Sequence, residues 1–128
     1  MQGLQAALGL DDDDLWQLAT GFGGGLGRRQ LVCGALTGAT IACGLAVARK
    51  RASTREDRDG LRTDAYAKVQ QLTREFEARF GALDCRTMTG HDFSIPNGHD
   101  LFVQSGGRDR VCRSAVRFAV ETTARLCE

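Results

Sequence analysis

The strongest pattern in the chain is an apolar run from Leu31 to Ala48, with Arg28-Arg29 before it and Arg49-Lys50-Arg51 after it. Such a run predicts a helix buried on nearly all sides rather than an amphipathic one. Farther on, Ala65, Val69, Leu72, Phe76 and Phe80 recur at three- and four-residue steps beside Tyr66, which predicts an amphipathic helix ending at Gly81. Ser53-Thr54-Arg55-Glu56 has the form of a capping box and marks its start. A last helix is expected from Arg108 to Glu128, with Val111, Cys112, Ala115, Ala119 and Leu126 toward the core. Between these two helices, Cys85 stands in DCRTMTG, which reads as one helical turn closed by Gly90, and residues 91–107 read as a loop.

At the start of the chain, residues 2–9 read as a short helical fragment with Leu4, Ala7 and Leu8 on one side. Asp11 to Asp14 then precede Leu15, Trp16, Leu18 and Ala19. Adjacent acids point to different sides of a helix, so this run reads as a capped helix start rather than a metal-binding cluster. The expected fold is all-α: one domain over 1–128, a compact bundle of about four to five helices around the buried Gly/Ala-rich central helix.

Composition narrows the function classes. A chain of 128 residues fits one ordinary domain, and one proline with few aromatics favours helices over a sandwich. Seventeen Lys and Arg stand against 16 Asp and Glu, so there is no global electrostatic case for nucleic acid. By length alone the apolar run admits a membrane span, but Thr37, Thr40 and its interior glycines, basic residues at both ends and the lack of a second span argue against a membrane. Gly34, Gly38 and Ala42 recur every four residues, a flat ridge where another helix comes close. The glycine run Gly21–Gly27 lacks the Lys-Ser/Thr ending of a P-loop and follows a helix rather than a strand. A tight helix–helix connection is therefore expected there, not a phosphate cradle.

The candidate chemistry lies in five cysteines, at 33, 43, 85, 112 and 127. No signal peptide precedes them, so a cytoplasmic, reducing location is the expectation, where cysteines serve as ligands, redox groups or core filler. No CxxC occurs, so a site has to be assembled from separate helices. Cys33 follows Arg28-Arg29 near a helix start, Cys85 precedes Arg86, and Cys112 lies between Arg110 and Arg113. Arginines and helix dipoles there are expected to favour thiolates. Cys43, deep in the apolar run, reads as core filler. Cys127 shares the inward side of the last helix with Cys112 but stands four turns away. His91-Asp92 and His99-Asp100 fall in the loop and read as turn hydrogen bonding, since neighbouring residues seldom orient one another as base and acid. No nucleophile–base pair or carboxylate dyad points to a hydrolase or transferase.

LATGFGGGLGRRQLVCGALTGATIACGL, with Cys33-Gly34-Ala35-Leu36-Thr37-Gly38, resembles the signature of the redox-active family named for its CGAxxG motif, the C-GCAxxG-C-C family. FGALDCRTMTGHDF, carrying Phe80, Gly81, Cys85, Arg86, Gly90 and Asp92, is similar to its second cysteine region, and Cys112 matches the last. The resemblance implies a small helical, redox-active protein related to the helical module of split-Soret cytochromes. By that relation it implies an iron–sulfur cluster on Cys33, Cys85 and Cys112. Haem is not implied, because no CxxCH is present. The family's first shared cysteine falls before Met1, so the start is expected to be truncated; otherwise Cys127, Cys43 or a partner chain's residue stands in as fourth ligand. An electron carrier that pairs with a redox partner, and itself forms a homodimer, is the leading expectation. A metal-free thiol–disulfide protein and a non-redox helical interaction module with packing cysteines are the alternatives.

Overall fold

The computed structural model describes residues 3, 6, 7, 9, 15–51 and 57–128. Leu4 and Leu8 of the N-terminal fragment, the acidic run Asp11–Asp14 and the capping box Ser53–Glu56 lie outside the described residues. The helices are α1 (Leu15–Leu18), α2 (Gly34–Lys50), α3 (Arg58–Phe80), α4 (Cys85–Thr89), α5 (Gly98–Gln104) and α6 (Arg113–Cys127), with a 3-10 turn at Thr20–Phe22 and a π turn at Arg108–Cys112. Among the described residues there is no β-strand, and the fold is all-α.

Three long helices make the core. α2 packs against both α3 and α6, and those two pack against each other. The centre of α2 is built of small side chains: Ala39, Ala42 and Cys43 are fully buried, and Gly38 is buried beside them. Small residues let the α2 backbone come close to its neighbours, which then supply the bulk. Leu72 and Phe76 from α3 are completely buried. Phe76, Phe80 and Phe118 form a three-ring cluster between α3 and α6, with centroids 4.7, 6.0 and 5.5 Å apart, in the tilted and edge-on geometries that aromatic quadrupoles favour. The helix containing Ala65 to Phe80 ends as expected: Gly81 takes a left-handed φ of 75° and its N–H caps Glu77 O.

Three elements depart from expectation. The apolar run does not become helical until Gly34; Leu31 and Val32 are exposed, and Val32 pairs instead with Asp84 in an isolated antiparallel bridge. The loop expected over 91–107 contains α5, which seats Phe102 in the interior at 2 % exposure. The last helix begins as a π turn, whose wider winding breaks the 3.6-residue register. Ala115, Ala119 and Leu126 are buried as expected, whereas Cys112 leaves their stripe and is exposed. No helix among the described residues is long and apolar enough to cross a membrane.

Candidate functional site

Cys33, Cys85 and Cys112 come from three separate segments, each at a helix start. Cys33 immediately precedes α2, Cys85 opens α4, and Cys112 closes the π turn that leads into α6. Backbone pairing brings the first two together. Beside the Val32–Asp84 bridge, the Cys33 N–H donates to Leu83 O at 2.8 Å and the Cys85 N–H donates to Leu31 O at 2.7 Å. Side chains alternate across such a pair, so Cys33 and Cys85 emerge on one face as diagonal neighbours.

The glycine loop forms a wall beside them. Its carbonyls are taken up within the connection: Gly24 O accepts from the Gln30 N–H at 2.9 Å, and Gly25 O accepts from the Leu31 N–H at 3.0 Å. Gly25 has φ 69°, and a Cβ there would stand 2.7 Å from the Leu31 backbone and 2.8 Å from the Cys85 Cβ. Only glycine allows that approach.

Gln30 fastens the other side. Its side chain is buried, with Nε2 donating to His91 O at 2.7 Å and to Thr89 Oγ1 at 3.2 Å, while Oε1 accepts from the Phe93 N–H at 2.7 Å. Its own carbonyl accepts from the Arg86 N–H at 3.1 Å. One glutamine thereby locks the segment from Arg86 to Phe93 against the start of α2.

The three cysteines line one cavity of about 360 Å³, together with His99, Phe22, Phe93 and Phe102. The Cys85 thiol is pushed up to about 11, chiefly by burial and then by the neighbouring Cys33 and Cys112 thiols. Cys112 is raised as well: crowding on its cavity side acts first and Cys33 next, against the Arg108 guanidinium, which lowers it. The arginines expected to produce thiolates do not prevail at these two positions: Arg86 is paired with Asp92 at 2.8 Å, Arg113 is paired with Asp109 at 2.9 Å and Arg110 donates to Ser105 O, while at Cys112 desolvation outweighs the unforeseen neighbour Arg108. Cys85 and Cys112 are therefore neutral thiols at neutral pH.

Cys127 and Cys43 lie elsewhere. Neither lines this cavity; their sulfurs face each other at 3.2 Å between α2 and the end of α6. Among the described residues, no group of three or more His, Cys, Asp or Glu side chains is arranged to hold a metal ion. His91 makes the expected turn contact, with Nδ1 2.9 Å from Thr89 O. His99 is different: its ring packs edge-on against Phe93 at 5.1 Å and lines the cavity, a role hidden by the loop reading. Gln30 carried no signal either, since a glutamine before an apolar run looks like a boundary residue.

No curated protein and no solved structure matches the chain. The family model described as "Putative redox-active protein (C_GCAxxG_C_C)" matches residues 1–126. Covering nearly the whole length, with Cys33, Cys85 and Cys112 gathered at one cavity, that match shows that the chain belongs to the C_GCAxxG_C_C family.

Proposed function

We propose that the redox role of this family member is carried by Cys33, Cys85 and Cys112 together, as the protein side of an iron–sulfur cluster that serves electron transfer to a partner protein. The supporting observation is that three soft sulfur donors from three segments line one largely aromatic and aliphatic cavity. A single metal ion is not supported, because its ligands must crowd within a few ångströms of one centre and no described group does so. Cys33, Cys85 and Cys112 would supply the thiolates for a cluster, which when bound would supply one-electron chemistry.

The chain's own residues have definable tasks in this reading. Phe22, Phe93 and Phe102 limit water at the cavity. Gln30 and the Val32–Asp84 bridge fix the separation of Cys33 from Cys85. Cys85 and Cys112, neutral in the free chain, release their protons on loading. The fourth ligand comes from His99 on the same cavity, from residues outside the described set, or from a second chain in a homodimer. A reducing cytoplasm suits a protein whose five cysteines are all unpaired.

Anaerobic purification with iron and acid-labile sulfide analysis tests this. A brown protein containing both supports it, and a colourless, metal-free protein overturns it. The diagonal placement of Cys33 beside Cys85 favours one second reading, a metal-free thiol–disulfide couple. That reading predicts a reversible two-electron titration that disappears in Cys33→Ser.

A further inference from the structure

Cys43 and Cys127 are absent from the cavity just described, yet their thiols are in hydrogen-bond contact with each other. Cys43, in the middle of α2, is fully buried, Cys127 ends α6 at 4 % exposure, and their sulfurs stand 3.2 Å apart. Thr123, also fully buried, has a hydroxyl with no hydrogen-bond partner among the described residues, and it faces Cys43 closely enough to favour that residue's thiolate. A separate cavity of about 240 Å³ reaches Cys127, and its rim carries Lys50, Lys68 and Arg51. Arg51 is occupied by Asp57 and Asp64, whereas Lys50 and Lys68 have no ion pair among the described residues.

We propose that Cys43 and Cys127 are a second dithiol–disulfide couple, independent of the cluster reading, which exchanges with small anionic disulfides through the cavity beneath Lys50 and Lys68. Access sets the order of events, because Cys127 lines the cavity whereas Cys43 does not and is fully buried. The Cys127 thiol is lowered to about 7, first by the hydrogen bond it shares with Cys43 and then by Lys68 and Lys50, while Cys43 is raised by that bond and by burial. Cys127 is thus the attacking thiolate and Cys43 the proton-bearing partner.

In the first step, the Cys127 thiolate attacks one sulfur of the incoming disulfide. The external S–S bond breaks, a mixed disulfide forms on Cys127, and one small thiolate leaves. That thiolate takes the Cys43 proton, and the Thr123 hydroxyl donates to the Cys43 thiolate so produced. Cys43 then attacks the Cys127 sulfur, the Cys43–Cys127 bond forms, and the second small thiolate departs. The protein loses two electrons and the external disulfide gains them.

The test exposes the reduced full chain to oxidised glutathione. We expect the free thiols to fall from five to three in wild type and from four to two in Cys33→Ser, and a digest of either to contain a disulfide joining Cys127 to Cys43. Cys43→Ser, unable to complete the second step, is expected to accumulate one glutathionyl group on Cys127. Lys68→Ala is expected to slow adduct formation by roughly three- to tenfold at low salt. The oxidised form should melt about 10 °C higher, because the new bond ties α2 to the end of α6. Cross-links confined to Cys33, Cys85 and Cys112, or no exchange at Cys127 in the wild type, would overturn the proposal. The wild-type peptide map decides this even if a variant fails to fold, and metal analysis plays no part in it.

Discussion

Gln30 adopts φ 59°, a left-handed conformation uncommon for a residue with a side chain, while that side chain makes three hydrogen bonds within 3.2 Å to Thr89, His91 and Phe93. The contacts explain how the conformation is held. Truncation would leave the Phe93 N–H and His91 carbonyl without their partner, so Gln30→Ala is expected to cost about 2–3 kcal/mol in urea denaturation. It should also loosen Cys85 relative to Cys33, visible as reduced iron retention if the cluster reading holds. Gly25→Ala meets the Leu31 backbone and Cys85 at once, at a φ that disfavours any side chain. Its expected cost is at least about 2 kcal/mol, read from the same denaturation curves.

Cys85 supplies the pH dependence at this scale. Its thiol ionises near 9.0 ordinarily and near about 11 in the folded chain. Between those values the unfolded chain has lost a proton that the folded chain keeps, so stability falls as pH rises through this window and is fully present below it. In reduced, metal-free protein, the urea midpoint should drop further between about pH 8 and about pH 11 in wild type than in Cys85→Ser. Equal slopes in the two proteins would show that burial does not hold the proton on Cys85.

At the scale of elements, α2 shows how composition sets packing. Its buried face is made of Gly38, Ala39, Ala42 and Cys43, and the space is filled from across the interface by Leu72 and Phe76. Ala39→Leu should therefore overpack the α2 interface and cost about 1–3 kcal/mol, and Phe76→Ala should open a cavity and cost about 3–5 kcal/mol. Thermal or urea unfolding checks both. The long helices were legible because period and caps agree with tertiary burial: the stripe through Leu72 and Phe76, and the stop at Gly81, need no distant partner to be read. α5 was not legible. Gly98, His99 and Asp100 are poor helix formers, and the helix is stabilised by contacts that only the folded chain provides: Phe102 is seated in the interior, and a Cβ at Gly107 would lie 2.1 Å from that ring. The π turn escaped notice for a similar reason. Its one-residue shift leaves the local pattern nearly helical while turning Cys112 out of the core stripe and toward the cavity.

Across the whole molecule, α2, α3 and α6 form a scaffold on which shorter segments present chemistry. Resemblance to the family identified Cys33, Cys85 and Cys112, and those residues line one cavity. What the sequence concealed were relations across long separations: Gln30 bonded to the segment from Thr89 to Phe93, His99 on the cavity wall, and Cys43 against Cys127. No local pattern encodes such contacts, because each depends on how segments distant in sequence meet. The cysteines thus fall into a cavity set and a buried pair, and the central claim assigns the family's redox role to the cavity set. Spectroelectrochemical titration of anaerobically prepared wild type and single-serine variants tests it most directly. Cys33→Ser, Cys85→Ser and Cys112→Ser should each abolish or strongly shift the redox transition, while Cys43→Ser retains it. A wild-type transition that survives unchanged in both Cys33→Ser and Cys85→Ser would contradict the claim.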